Sequence, residues 1–146
     1  MLSRILEIVL LLALVLGQAQ AAGTVLTVDM KGTITPASDD IVLAALERAE
    51  AEDARALMLL LDTPGGGLAE TTEILRLIDE SDIPVIGYVH PEGAAAWSAG
   101  TIILIGSDIA AMAPHTILGS AQPVQFSPAG STVPVNDSKT TNAIVA

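Results

Sequence analysis

A nearly unbroken apolar run that leads into three glycines is the feature that most constrains this fold. Residues 54–61 are almost entirely apolar, and they lead through Asp62 into the segment Thr63-Pro64-Gly65-Gly66-Gly67. A short run without a polar face is typical of a strand buried on both faces, as in a parallel sheet. Proline and glycine then mark a loop. The sequence therefore predicts a central parallel strand that ends in a glycine-rich loop.

Strand-like and helix-like patterns alternate along most of the chain. The predicted strands cover residues 24–30, 54–61, 84–89 and 109–113, and two predicted helices cover residues 68–80 and 97–105. Regular alternation of this kind implies right-handed βαβ units and an α/β fold built in layers. Residues 90–95 and 122–134 lack periodicity and predict loops.

Two further helices are predicted, one between the first two strands and one at the C-terminal end of the sequence. The first follows a turn at Pro36 and a capping residue within residues 38–40. Its apolar stripe is predicted to consist of Ile41, Leu43, Ala44, Leu46 and Ala49. The last follows a cap within residues 136–138 and carries Lys139. Because that helix stops at Ala146 after about two turns, we expect a domain that is incomplete at its C-terminus.

The charge balance excludes two broad classes of partner. The chain has 17 acidic and 6 basic residues, which gives a formal net charge of −11. Nucleic acid and anionic lipid surfaces both require clustered lysine and arginine, so we expect neither as a partner. The chain also has no cysteine, which excludes disulfides, thiol catalysis and cysteine-ligated metals.

The first 21 residues have the pattern of a signal peptide. Arg4 supplies a positive n-region, and residues 8–17 form an apolar run that is short for a membrane span. Ala19-Gln20-Ala21 fits the small-x-small rule and predicts cleavage after Ala21. The alternative is an uncleaved membrane anchor. With either one, residues 22–146 are expected to form an exported domain, in the periplasm or elsewhere outside the cytoplasm.

Ser98 is the candidate nucleophile. It stands between small residues in Ala96-Trp97-Ser98-Ala99-Gly100, one substitution away from the G-x-S-x-G nucleophile elbow. At the start of a helix, its hydroxyl lies near the positive end of the helix dipole. A serine in this place is also a common N-cap, so the pentapeptide leaves a purely structural role open.

The glycine run is the candidate oxyanion hole. Acyl transfer needs backbone N–H groups directed at the developing oxyanion, and one such donor is worth about 3–4 kcal/mol of barrier. The N–H of Gly65 or Gly66 is expected to give one donor, and the N–H of Ala99 the other. The run lacks the lysine of a phosphate-binding loop. A plain strand-to-helix turn is the alternative.

Lys139 is the candidate general base. The chain has a second lysine only at position 31, and no basic residue lies between Arg76 and Lys139. To accept a proton near pH 7, the pKa of Lys139 must fall by roughly 3 units, and burial must supply most of that change. A solvated helix lysine is the ordinary alternative.

Other catalytic groups are scarce. His90 and His115 are the only histidines, and a triad would join one of them to Ser98 and to Asp62 or Asp108. The sequence has no His-x-x-x-His spacing, and its carboxylates are scattered. We therefore expect neither a metal site nor a cofactor.

Five short motifs occur in the order of one protein family. They are Leu59-Leu60-Leu61-Asp62-Thr63-Pro64-Gly65-Gly66, the segment 93–100 that ends in Ser98-Ala99-Gly100, Met112-Ala113-Pro114, Gly119-Ser120-Ala121, and the lysine segment 136–146. Through these motifs, residues 24–146 resemble the membrane-bound serine proteases of the NfeD family. That family is part of the Clp-protease/crotonase superfamily and is related to signal peptide peptidase A.

The resemblance implies a layered Clp-protease/crotonase-like fold and an endopeptidase that uses a Ser-Lys dyad. Carried over by position, Ser98 is the nucleophile, Lys139 is the general base, and N–H groups of Gly65 or Gly66 and of Ala99 form the oxyanion hole. The implied substrate is an apolar segment of a stomatin-like membrane protein. The resemblance also implies a homo-oligomer, a dimer or larger, and membrane association in the longer members.

Trp97 departs from the family, which more often has a small residue there, and this predicts a narrower or shifted pocket beside Ser98. Two other function classes stay open. One is a non-catalytic assembly module of the same fold, in which Ser98 only caps a helix. The other is a crotonase-like acyl-CoA enzyme, which an exported location argues against because coenzyme A is cytoplasmic.

Overall fold

Strands and helices alternate along the chain, as the sequence predicts. The computed structural model describes residues 23–121 and, as backbone, residues 124–126 and 132–134. In chain order the elements are β1 (Val25–Lys31), α1 (Pro36–Ala51), β2 (Ala56–Asp62), α2 (Leu68–Asp79), β3 (Val85–Val89), β4 (Ala95–Trp97), α3 (Ala99–Gly106), β5 (Ile109–Met112), β6 (Ile117–Gly119), β7 (Val124–Phe126) and β8 (Thr132–Pro134).

The main sheet has four parallel strands in the order β1-β2-β3-β5. Strand β2 lies in the interior of this sheet. Its residues Leu57, Leu59 and Leu61 are completely buried, and the residues between them are at least half-buried. A strand with little access to water on either face has no need of polar alternation, which explains its apolar sequence. The predicted α/β fold with a parallel sheet is confirmed.

Helix α1 begins earlier than the sequence predicts. Pro36 is its first residue, and Thr35 is the N-cap. The N–H of Thr35 donates to Oγ of Ser38 at 3.0 Å. Proline is well suited to the first turn, because the N–H that it lacks has no partner there. The predicted cap within residues 38–40 is therefore wrong, since Ser38 lies inside the first turn.

The buried face of α1 also differs from the predicted stripe. The buried residues are Val42, Ala45, Leu46 and Ala49, which follow the i, i+3, i+4, i+7 spacing of one helix face. Ile41 and Leu43 are 50% and 43% exposed. Leu46 and Ala49 are therefore buried as predicted, whereas the two large apolar side chains of Ile41 and Leu43 are turned toward solvent.

A second, smaller parallel sheet pairs β4 with β6. The sequence predicts a loop for residues 90–95 and one helix for residues 97–105, but Ala95–Trp97 is a strand and the helix begins at Ala99. Strands β7 and β8 form an antiparallel pair, so the loop predicted for residues 122–134 is also wrong in part. Three-residue strands are too short to show alternation, and the sequence therefore gives no sign of them.

Among the residues that the structure describes, no helix has the length and apolar character needed to cross a membrane. The predicted signal peptide, residues 1–21, lies outside the described residues. The predicted last helix and Lys139 lie outside them as well. These remain predictions.

Two leucines on α1 test the placement of its buried face. Leu46 is 5% exposed and Leu43 is 43% exposed. Leu46→Ala is expected to lower the free energy of unfolding by about 2–5 kcal/mol, because it opens a cavity in the core. Leu43→Ala, the same change on the solvent side, is expected to cost less than about 1 kcal/mol. Urea denaturation measures both, and equal losses would contradict the observed face.

Candidate active site

The glycine-rich loop after β2 is joined to the end of β4 by main-chain hydrogen bonds. The N–H of Thr63 donates to the carbonyl oxygen of Ala95 at 2.8 Å, and the N–H of Trp97 donates to the carbonyl oxygen of Thr63 at 2.9 Å. Ser98 directly follows Trp97. This pairing therefore brings together the two segments that the sequence singles out, which are more than 30 positions apart in the chain.

Ser98 has a strained backbone conformation at the junction of β4 and α3. Its φ is 49° and its ψ is −113°. A positive φ is rare for residues other than glycine and costs of order 1–3 kcal/mol, so the surrounding structure must hold it. The hydroxyl of Ser98 makes no capping hydrogen bond to α3. The N-cap function, which the sequence leaves open, is therefore not what the side chain does here.

Gly65 touches the side chain of Ser98. A Cβ atom on Gly65 would lie 2.6 Å from Cβ of Ser98 and 3.2 Å from its Oγ, both closer than ordinary van der Waals contact. Gly65 also has a φ of 106°, which disfavours any other residue. The loop can approach Ser98 this closely only because position 65 has no side chain.

The structure distinguishes the two glycines that are candidate oxyanion donors. The N–H of Gly65 already donates to Oγ1 of Thr63 at 3.0 Å. The N–H groups of Gly66 and Ala99 have no acceptor within residues 23–121. Ala99 is the first residue of α3, where the N–H groups lack partners in the helix and the dipole favours negative charge. The geometry thus leaves Gly66 and Ala99 with free donors.

Gly66 is held in place by the segment between β1 and α1. Ile34 donates its N–H to the carbonyl oxygen of Gly65 at 2.9 Å and accepts the N–H of Gly67 at 3.1 Å. A Cβ atom on Gly66 would lie 2.1 Å from the carbonyl oxygen of Ile34. The peptide groups on both sides of Gly66 are therefore fixed by backbone contacts.

Neither histidine contacts Ser98 in the part of the chain that is described. His115 is 82% exposed at its side chain, and its Nε2 lies 3.7 Å from a carboxylate oxygen of Glu92. The ring of His90 stacks on that of Tyr88 at 5.3 Å. The geometry gives no support to a Ser-His-Asp triad.

The two aspartates considered for such a triad hold backbone groups instead. Asp62 accepts the N–H of Ala95 at 3.3 Å, and Asp108 accepts the N–H of Val85 at 2.7 Å. Within residues 23–121, no three potential metal ligands form a cluster. Both carboxylates thus serve to position strands.

Charge interactions on the surfaces of two helices change pKa values. On α1, a hydrogen bond to Glu52 raises the pKa of Arg48, and the other shifts occur on α2. Arg76 donates to the carboxylates of Glu73 and Glu80 on the helix surface. The hydrogen bond from Arg76 lowers the pKa of Glu73, and the hydrogen bonds to both carboxylates raise the pKa of Arg76. All three side chains are solvent-accessible, so these contacts belong to the helix surface and not to the environment of Ser98.

Exposed apolar side chains lie on the segments around Ser98. Leu68 directly follows the glycine loop and is 46% exposed, and Trp97 is 37% exposed. Trp97 pairs with Gly119 across the small sheet, and Cζ3 of its ring is 3.8 Å from the position of a Cβ on Gly119. Ile117, on the same face of that sheet as Trp97, is 50% exposed. These segments thus expose apolar surface.

Sequence reasoning missed two buried threonines near Ser98. Thr63 is 2% exposed and Thr101 is 5% exposed. The γ-methyl carbon of Thr63 would lie 2.5 Å from a Cβ on Gly100, so this methyl group fills the space that position 100 leaves empty. Buried threonines need partners for their hydroxyls, but nothing in the sequence alone reveals which ones they find.

Comparison with known proteins finds relatives over most of the chain. The family model described as NfeD1b, N-terminal domain, matches residues 24–140. The membrane-bound protease PH1510 of Pyrococcus horikoshii is 40% identical over 121 residues, which are 83% of this chain and 27% of that protein. The membrane protein NfeD1b of Bacillus subtilis is 40% identical over 74 residues, 49% of this chain and 16% of that protein. The chain thus spans under a third of either relative.

Solved structures give the same picture. The 1510-N membrane-bound stomatin-specific protease, as a serine-to-alanine mutant, superposes with a TM-score of 0.78 at 38% identity, over 86% of this chain and 61% of that one. Its lysine-to-alanine mutant in complex with a substrate peptide gives the same TM-score and identity, over 86% and 57%. The ClpP catalytic domain of Plasmodium falciparum, with a TM-score of 0.56 at 15% identity over 63% of this chain and 53% of that one, shows the fold alone.

Gly65 and Gly32 both have a positive φ, but only Gly65 lies against another residue, so comparing them separates the cost of backbone strain from the cost of a steric clash. Gly65→Ala is expected to destabilise the protein by about 1–3 kcal/mol more than Gly32→Ala, since only the first adds a clash to the conformational cost. Gly32 has a φ of 80° and nothing within 4 Å of its Cβ position. Chemical denaturation measures both losses. Equal losses would show that Gly65 does not pack against Ser98.

Proposed function

The chain belongs to the NfeD1b N-terminal domain family, and we propose that it forms the catalytic part of a serine endopeptidase with a Ser98–Lys139 dyad. The observation that carries this proposal is the state of Ser98. Its backbone is strained, its hydroxyl caps nothing, and its side chain lies against Gly65. A helix-capping serine has no need of that conformation, whereas a nucleophile at a sharp strand-to-helix turn does.

The solved relatives support both members of the dyad. The two mutants of the stomatin-specific protease replace a serine and a lysine that are 41 positions apart in that protein. Ser98 and Lys139 are also 41 positions apart in this chain. Equal spacing in two chains that align over this region favours the same pair of residues. The choice of Lys139 rests on this spacing and on the sequence.

The proposed reaction is acyl transfer to Ser98. Lys139, in its neutral form, takes the proton of Oγ while Oγ bonds to the carbonyl carbon of the peptide. The oxyanion of the tetrahedral intermediate accepts hydrogen bonds from the N–H groups of Gly66 and Ala99. The C–N bond then breaks, and the departing amine takes the proton from Lys139. A water molecule then gives a proton to the amine of Lys139 while its oxygen bonds to the acyl carbon. The bond between that carbon and Oγ of Ser98 breaks, and Oγ takes the proton back from Lys139.

Gly66 is the better donor of the two candidates in the loop. The N–H of Gly65 donates to Thr63, whereas the N–H of Gly66 has no acceptor among residues 23–121. An oxyanion donor must be fixed before the reaction begins, because reorganisation during the reaction would cost part of the gain. The backbone contacts of Ile34 on both sides of Gly66 meet that requirement.

We propose an apolar segment of a stomatin-like membrane protein as the substrate. The solved relative is titled stomatin-specific, and its lysine mutant was solved with a substrate peptide. The exposed side chains of Leu68, Trp97 and Ile117 provide apolar surface on segments next to Ser98. We also propose that the domain is exported, that it acts at a membrane, and that it works as a homo-oligomer. The signal-peptide pattern and the membrane-bound relatives support the first two of these.

The dyad is tested by cleavage of an apolar peptide and by a fluorophosphonate probe that labels reactive serines. Ser98→Ala and Lys139→Ala are each expected to lower kcat by at least about 1,000-fold. Lys31→Ala, which removes the other lysine, is the matched control and should stay within about twofold. The side chain of Lys31 is 57% exposed, far from any buried environment.

The same measurements separate the alternatives. Full cleavage by Lys139→Ala would exclude the lysine as the base. A wild-type protein that neither cleaves nor labels, but still binds the stomatin-like partner, would favour the assembly module.

Trp97 is expected to limit the size of the substrate side chain beside the scissile bond. Trp97 directly precedes Ser98, and its indole lies against Gly119. Trp97→Ala is expected to shift the kcat/KM ratio of bulky over small side chains by at least about 10-fold, the usual scale for steric discrimination. Leu43→Ala, which truncates an exposed apolar side chain on α1, should leave that ratio unchanged. A library of peptides with varied side chains gives the measurement, and an unchanged ratio in Trp97→Ala would contradict the assignment.

A further inference from the structure

One buried hydroxyl joins three segments at the base of the nucleophile. Oγ1 of Thr101 lies 2.7 Å from the carbonyl oxygen of Ala96 and 3.0 Å from that of Gly119, and it accepts the N–H of Gly119 at 2.9 Å. A hydroxyl has one proton, so it donates to one carbonyl oxygen at a time, and Ala96 is the nearer acceptor. The side chain thus links the end of β4, the start of α3 and the end of β6.

The same three segments hold the backbone of Ser98. The N–H of Ser98 donates to the carbonyl oxygen of Gly119 at 3.0 Å, and its carbonyl oxygen accepts the N–H of Thr101 at 3.0 Å. The N–H of Ser98 is therefore bonded to a residue that the Thr101 hydroxyl holds, and its carbonyl oxygen is bonded to the N–H of Thr101 and to that of Ile102 at 3.2 Å. This matters because the strained φ of Ser98 persists only where its neighbours impose it.

We propose that Thr101 is a positioning residue for the Ser98 nucleophile. Its hydroxyl acts through Gly119 and Ala96 and holds Ser98 in the conformation that directs Oγ at the glycine loop. The proposal rests on the function proposed above and adds a residue to which that function gives no part. Thr101 is 5% exposed and lies behind the serine, so its effect reaches the reaction only through the backbone.

Loss of the hydroxyl is expected to disturb the geometry more than the packing. Valine has nearly the volume of threonine, but it leaves the N–H of Gly119 without its acceptor in a part-buried place. Strand β6 is then expected to shift, and this weakens the hydrogen bond from the N–H of Ser98 to the carbonyl oxygen of Gly119. Misplacement of a reacting atom by about 1 Å costs on the order of 100-fold in rate, whereas binding surfaces away from it are little affected.

The test uses the full chain and compares Thr101→Val with Thr101→Ser. Thr101→Val is expected to lower kcat for the apolar peptide and the rate of fluorophosphonate labelling by about 10- to 100-fold, with KM within about threefold. Thr101→Ser keeps the hydroxyl and should restore both rates to within about threefold of the wild type. Thr116→Val is the matched control, because it removes a hydroxyl that donates to the carbonyl oxygen of Ala113 at 2.6 Å, before β6 begins.

Hydrogen exchange at the amide of Ser98 reports on the same constraint without any need for cleavage. In Thr101→Val this amide should exchange at least about 10-fold faster than in the wild type, and in Thr101→Ser it should not. Normal kcat and normal exchange in folded Thr101→Val would overturn the proposal. A serine variant as slow as the valine variant would also overturn it.

If Thr101→Val does not fold, the test rests on the kcat and the stability of Thr101→Ser. That variant lacks only the methyl group, so it should lose stability and keep its rate. Failure of the proposed function gives a different result. Cleavage by Ser98→Ala, or a wild-type Ser98 that the fluorophosphonate does not label, would exclude the dyad. The hydrogen-exchange rate of the Ser98 amide would still test the role of Thr101.

Discussion

The main-chain pairing of Thr63 with β4 is the contact on which the site depends. Two hydrogen bonds join this residue to the strand that ends one position before Ser98. Without them the glycine loop belongs to one βα unit and the serine to another, and the carboxylate of Asp62 adds only one longer hydrogen bond to β4, to the N–H of Ala95 at 3.3 Å. Thr63 also uses its hydroxyl to occupy the N–H of Gly65. One residue thus sets both the distance between the loop and the serine and the choice of which glycine keeps a free donor.

The three consecutive glycines are needed to different degrees. At Gly65 a side chain would strike Ser98, and at Gly66 it would strike the backbone of Ile34. At Gly67 it would meet the carboxylate of Glu70, the end of a flexible side chain that is able to move aside. Steric exclusion therefore explains the first two glycines, and the third is the one that the packing requires least.

Sequence reasoning found those parts of the molecule that rest on local pattern. The apolar run of β2 and the periodicity of helix α2 each extend over seven or more residues. The loop between them is marked by its proline and glycines. The small sheet was not predicted, because β4 and β6 have three residues each and are stabilised by partners distant in the chain. The face of α1 was misjudged for a similar reason. Its sequence has apolar residues on neighbouring faces, and only the packing of the sheet decides that Val42 and Ala45 join Leu46 on the buried face in place of Leu43.

The site shows the same division. The types and order of Ser98, Gly65, Gly66 and Ala99 are readable from the sequence, but which N–H is free depends on a hydroxyl that folding brings near. Sequence pattern likewise cannot separate a capping serine from a strained one, since both precede a helix. The distinction lies in the backbone angles of Ser98, which its long-range contacts determine.

The close approach of Thr63 to Gly100 has a consequence for how such a chain changes over evolutionary time. The γ-methyl group of Thr63 fills the space that a side chain at position 100 of α3 would need. An alanine at position 100 would also meet Cβ of Ala96 at 3.3 Å, so we expect it to be tolerated best where that methyl group is already lost, as in a Thr63→Ser background. The two positions are therefore expected to change together, with position 63 first.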